Sequence, residues 1–161
     1  MTLYDAVLAR DAEALAQLAA EVRDINAQFE RGRTALHEAA ARGYVELVAV
    51  LLAAGADPAP YDGDRETALL KAAVNGHHEV VHLLSPLATD DERDMARSLM
   101  RVHRVPFDPD QYQGRDEEVP EWKRTAADVA AKVTKLLGDD RATRRLERVM
   151  RSELNAVLKR K

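Results

Sequence analysis

The stretch Thr34-Ala35-Leu36-His37-Glu38-Ala39-Ala40 returns 33 positions later as Thr67-Ala68-Leu69-Leu70-Lys71-Ala72-Ala73. The residues after it keep the same step: Gly43 pairs with Gly76, Glu46 with Glu79, Leu47-Val48 with Val80-Val81, and Leu51 with Leu84. A fixed period of this size means one supersecondary unit copied along the chain. Such a unit cannot bury its apolar face alone, so the copies must stack, each covering its neighbour. Leu47, Val48, Leu51 and Leu52 form one stripe of a 3.6-residue period, so the element they belong to is a helix. Aromatic residues make up only 4% of the chain, which leaves Ala and Leu packing between helices to supply the core.

The register also runs backwards. Leu36, Ala39, Glu46, Val48 and Leu51 lie 33 residues after Leu3, Ala6, Glu13, Leu15 and Leu18, so residues 1–28 read as a degenerate first unit. In it Arg10 and Asp11 replace the turn glycine region, and Asp24-Ile25-Asn26-Ala27 closes the unit. Units 29–61 and 62–88 come next. Their pattern of T-x-L-H-x-A-A, then G-x-x-E-[LV]-V, then L-L-x-x-G-A-D resembles the ankyrin repeat. The resemblance implies an all-α solenoid of helix-turn-helix units, each preceded by a finger turn. Fingers are expected near 28–33 and 61–66, with Thr34 as a helix cap and left-handed turns at Gly43 and Gly76. The third unit departs from the pattern twice. Arg65 stands where the family has its finger glycine, with Gly63 two residues early, and Ser85-Pro86-Leu87 replaces the closing L-x-x-G-A-D.

Residues 89–161 read as a helical C-terminal extension. Thr89-Asp90-Asp91-Glu92 is a capping box that opens a helix to about His103. Pro106 and Pro109 then break regularity, and 104–124 forms a long acidic linker carrying Phe107, Tyr112 and Trp122. That linker either docks on a basic partner or folds back over the end of the stack. Two more helices, from Thr125 and from Asp139 or Asp140, complete the chain. Charge is unevenly spread: residues 125–161 carry 10 Lys and Arg against 5 Asp and Glu, while residues 1–124 carry 14 against 23. A basic tail on an acidic body can bind nucleic acid, but no recognition motif accompanies the charge.

Several function classes find little support. With Cys at 0 there is no disulfide, thiolate metal site or cysteine nucleophile. The N-terminus lacks a signal-peptide pattern, and no apolar run is long enough to span a bilayer, so a cytoplasmic monomer away from membranes is expected. No cofactor fingerprint, nucleophile elbow or catalytic carboxylate pair is present. One match does resemble enzyme chemistry. His78-Glu79-Val80-Val81-His82 fits H-E-x-x-H, in which two histidines one turn apart bind zinc and Glu activates water. The repeat register supplies a competing explanation, since Glu79-Val80-Val81 repeats Glu46-Leu47-Val48. No third ligand is apparent, so no metal or catalytic residue is assigned.

The resemblance points instead to a protein-protein interaction module, an adaptor, inhibitor or immunity-type protein. Family members bind partners with finger tips and the exposed face of each first helix. Carried over residue by residue, this gives Glu30, Arg31 and Arg33 on one finger and Arg42 on its helix. The next unit gives Tyr61, Asp64, Arg65 and Glu66, then Asn75. As surface residues, Arg33 and Tyr61 are expected to tolerate alanine without loss of folding. A zinc metalloenzyme and a nucleic-acid binder are the alternatives.

Overall fold

The computed structural model of the chain describes residues 1–102. The acidic linker expected at 104–124, the basic residues of 125–161 and the two last helices expected there lie outside the described residues. Among the described residues every α or 3-10 segment is short, and no strand is present: α1 (Leu3–Leu8), α2 (Ala12–Glu21), α3 (Ala35–Ala41), α4 (Val45–Ala53), α5 (Ala68–Val74), α6 (His78–Leu84) and α7 (Asp90–Val102), with 3-10 turns at Glu30–Gly32 and Ser85–Leu87. The odd-numbered helices pack side by side as an inner row. The even-numbered ones form a second row behind them, and each unit pairs one helix of each row. None of these helices is long and apolar enough to cross a membrane.

A threonine starts each inner helix. The hydroxyls of Thr2, Thr34 and Thr67 accept from the backbone N–H of Asp5, His37 and Leu70, and that of Thr89 accepts from Glu92. Each cap satisfies an otherwise orphaned donor and contributes about 1 kcal/mol. Thr2 sits one residue out of the 33-residue register, which is why the repeat alignment alone misses it. Thr89 comes only 22 residues after Thr67, yet α7 still takes the next place in the inner row, against α5. Ala96 and Met100 face inward, and the Arg93 guanidinium donates to the carbonyls of Ser85 and Ala88 at 3.3 and 2.8 Å.

The turn between the two helices of a unit is the same each time. Gly43 N–H donates to Ala40 O at 3.1 Å and Tyr44 N–H to Ala39 O at 3.0 Å. Gly76 and His77 repeat the pair with Ala73 and Ala72, as do Arg10 and Asp11 with Val7 and Ala6. This double bond is a Schellman closure, and it requires a left-handed residue: φ is 55° at Arg10, 72° at Gly43 and 76° at Gly76. The first unit thus keeps the turn without its glycine, at a cost of about 1–2 kcal/mol. The Arg10 guanidinium lies 5.2 Å from the centre of the Tyr44 ring, a cation–π contact that offsets part of that cost. The core repeats with the turn. Leu36 and Leu69, Val48 and Val81, and Leu51 and Leu84 are all buried pairs 33 residues apart.

Candidate protein-binding surface

The two fingers close by backbone bonds at matching places. Phe29 N–H donates to Arg33 O at 2.7 Å, and Asp62 N–H to Glu66 O at 3.0 Å. Asp62 also accepts from the N–H groups of Asp64 and Glu66 through Oδ1, so its side chain shapes the second finger from within. The fingers touch where Gly63 N–H donates to Arg31 O at 2.6 Å. A Cβ on Gly63 would stand 2.7 Å from that oxygen, so any side chain there would push the fingers apart. Gly63 is therefore not a displaced finger glycine. It permits close approach between units, while Arg65 occupies the finger-glycine place itself, with φ 60° against 70° at Gly32.

Beneath the tips lies a charge network that joins the units. Lys71 Nζ is 3.0 Å from Asp62 Oδ2, 2.9 Å from Asp64 Oδ2 and 2.7 Å from Glu66 Oε2. These three carboxylates form a metal-like cluster, but the Lys71 ammonium occupies its centre. Burial by itself would lower the Lys71 pKa. The hydrogen bonds to Glu66, Asp64 and Asp62 outweigh it and hold the ammonium above its ordinary range. Arg31 Nη2 pairs with Asp64 at 2.7 Å, and Arg42 Nε with Glu38 at 2.7 Å. Arg33 reaches Glu38, Asp64 and Asp62 at 3.5, 3.6 and 3.8 Å. Burial decides which of these contacts matter. The Arg31–Asp64 pair is exposed and adds little, whereas the Lys71 and Asp62 side chains are only 8% and 0% exposed.

One contact of the network coincides with the repeat register. Arg31 and Asp64, Arg33 and Glu66, and Glu38 and Lys71 are three register pairs of opposite sign, 33 residues apart. Of these, only Arg31 and Asp64 meet as an ion pair among the described residues. Glu38 pairs with Arg33 and Arg42 of its own unit and Lys71 with Asp62, Asp64 and Glu66 of its own, and neither Glu38 nor Lys71 was on the expected surface. Of the nine surface positions expected from sequence, the fold engages Arg31, Arg33, Arg42, Asp64 and Glu66 in these internal pairs. Asn75 donates its amide to Lys71 O at 2.8 Å. Glu30, Tyr61 and Arg65 extend outward without an ion pair among the described residues. Arg33 is not the fully exposed residue expected: its side chain is 30% exposed and lies 3.5 to 3.8 Å from carboxylates of two units, with Nε buried and without a hydrogen-bond partner among the described residues.

His37 ties the same junction together. Its Nε2–H donates to the carbonyls of Pro60 and Glu66 at 3.1 and 3.2 Å, while Nδ1 accepts from Thr34 N–H at 3.2 Å. All these contacts suit the neutral ring; a proton on Nδ1 would face another N–H. Burial lowers the pKa from its ordinary 6.5, against the pull of the Asp62 charge and the two carbonyls. A group whose folded pKa is depressed stabilises above its unfolded pKa and loses that contribution as pH falls below it. Stability should therefore be flat above about pH 7 and drop from about pH 6.5 downward, by up to ~1.4 kcal/mol per pH unit. The lowered carboxylates, Asp62 and Asp64, titrate below their ordinary 3.8 and do not reach this window. Urea titrations at a series of pH values check this, and His37→Gln should flatten the slope.

The H-E-x-x-H match falls on α6. His78 and Glu79 are exposed, Val80 and Val81 are wholly buried, and no third ligand gathers with His78 and His82 among the described residues. The core positions of the match are thus explained by stacking. A family description reading ankyrin repeats (3 copies) matches residues 3–95, more than half of the 161-residue chain, from α1 into α7. Paired helices, left-handed turns and linked fingers recur within that span at the family's step, and the chain belongs to the ankyrin repeat family.

Proposed function

We propose that this chain is a protein-binding module that takes a protein partner on its finger tips and the exposed ends of its inner helices. The carrying observation is Tyr61, a finger residue that stays 57% exposed while the residues around it are spent on joining the units. Leu8, Ala41 and Val74 occupy one register place at the C-terminal ends of α1, α3 and α5, and Leu8 and Val74 remain 42% and 38% exposed. An exposed aromatic ring, an exposed arginine in the same finger and exposed apolar side chains at the helix ends are the composition of an interface. Stacking depends on other residues, so the tips are at liberty to specify a partner. A small module of this kind, working in the cytoplasm as a monomer, fits an adaptor, an inhibitor or an immunity-type protein, each of which acts by occupying a partner's surface.

The test is affinity capture from the native host with the full chain and with Tyr61→Ala. The variant should melt within about 0.5 kcal/mol of the parent, as surface substitutions do. It should nonetheless retain the captured protein about 10-fold more weakly, or worse. Capture that is indifferent to both Tyr61→Ala and Leu8→Arg would move the interface off this surface.

A further inference from the structure

We infer that Arg65 is a carboxylate-reading anchor, so that the partner segment facing the second finger is acidic. The inference rests on the protein-binding reading above and adds the chemistry of the partner. Three non-glycine residues among those described have left-handed backbone, and all three are arginines: Arg10, Arg31 and Arg65. Two of them use the guanidinium in a contact within the chain, although the exposed pair made by Arg31 adds little stability. Arg10 lies over the Tyr44 ring, and Arg31 pairs with Asp64. Arg65 has neither kind of contact. It is exposed, and no carboxylate among the described residues lies within ion-pair reach of it.

The surroundings sharpen that isolation. Arg31, Arg33, Arg42 and Lys71 each pair with a carboxylate, so the anions nearest in sequence, Asp62, Asp64 and Glu66, are already engaged by other cations. The preceding finger shows that glycine suits the place, since Gly32 holds the same conformation in register. Folding alone therefore favours glycine at 65 and gives no reason for a guanidinium. Glu30 is also unpaired, but it occupies no left-handed position, so its identity carries no comparable cost. A guanidinium fork matches a carboxylate by two parallel hydrogen bonds. Tyr61, four residues earlier in the same loop, offers the aromatic surface that usually accompanies such an anchor.

The probe is a random dodecapeptide phage library selected on the immobilised full chain, with the recovered peptides then measured in solution by fluorescence polarisation. They should be enriched in Asp and Glu. Their affinity should fall about 10-fold or more with Arg65→Gly and with Arg65→Asn, which tolerates the left-handed backbone, and less with Arg65→Lys. Replacing the peptide carboxylate should cost as much as Arg65→Gly, and the two changes together no more than either. Meanwhile Arg65→Gly should melt about 3 °C higher, so the lost binding is not lost folding. No recovered peptide, peptides without carboxylates, or unchanged binding by Arg65→Gly would overturn the inference. So would a phosphoserine peptide that binds tighter than its glutamate counterpart. Loss with Tyr61→Ala but not with Arg65→Gly would leave the protein-binding reading standing without the acidic anchor; indifference to both would remove both.

Discussion

Gly43→Val should destabilise the chain by about 4 kcal/mol, because two independent costs meet at one atom. The first is backbone. Gly43 sits at φ 72°, a conformation that a β-branched residue adopts only under strain of about 1–3 kcal/mol. The second is steric. A Cβ at this position would lie 2.5 Å from His77 Nδ1 and 2.8 Å from two ring carbons. The ring cannot simply step aside, since its Nε2 is held at 3.0 Å by Ala41 O in the neighbouring unit. Displacing it breaks that bond and adds about 1–3 kcal/mol of overpacking. Thermal melts of Gly43→Val in the parent and in a His77→Ala background separate the two contributions. The cost should fall by about half once the ring is gone. A melting temperature unchanged by Gly43→Val would mean that the units do not pack turn against ring.

Lys71→Met should cost about 3–5 kcal/mol at neutral pH, although methionine keeps most of the packed stem. The loss is electrostatic. Asp62, Asp64 and Glu66 present oxygens that all lie within 4.8 Å of one another, and the Asp62 side chain is wholly buried. Without the ammonium, Arg33 at 3.8 Å is a poor substitute for the 3.0 Å contact it leaves behind. The pH dependence distinguishes this from a packing defect. In the parent, hydrogen bonds and the Lys71 charge hold Asp62 and Asp64 below their ordinary 3.8 despite some burial, so their contribution is intact above that value and lost beneath it. In the variant the Lys71 hydrogen bonds and charge are gone, so Asp62 and Asp64 take up protons at higher pH than in the parent. The stability gap between parent and variant should therefore narrow as pH falls from neutral. Asp64→Asn in the variant background should recover part of the loss. A constant gap between about pH 7 and pH 4 would assign the effect to packing alone.

Much of the fold was legible because a solenoid imposes the same demands on every copy. Leu36, Leu51 and Gly43 each face the same environment as Leu69, Leu84 and Gly76, so the residues recur and the period exposes them. Helix pairs, the left-handed glycine turns, the threonine caps of α3 and α5 and the finger positions all derive from that recurrence. The Val80-Val81 part of the H-E-x-x-H match derives from it as well, since these residues repeat the buried Leu47 and Val48. The candidate surface was less legible. Its residues were chosen as a group by family position, and nothing in one unit tells which charge will be absorbed by the next.

The sequence by itself determined the repeating unit, its helices and its turns, because local propensity and a periodic apolar face are properties of each copy separately. Only the tertiary structure decided what joins one copy to another. Gly63 had to be seen against Arg31 O before its lack of a side chain made sense. Thr2 and α7 hold their places in the inner row although both lie off the 33-residue step. Most of all, the sorting of Arg31 and Arg33 into the joint, of Lys71 onto the carboxylates of its own finger, and of Tyr61 and Arg65 onto the surface depends on side-chain distances that the register does not give. Arg31 and Asp64 pair across units with opposite charge at one register place, so a search for likeness passes over them; the other ion pairs form between different register places, which only Coulomb attraction in the folded chain brings together.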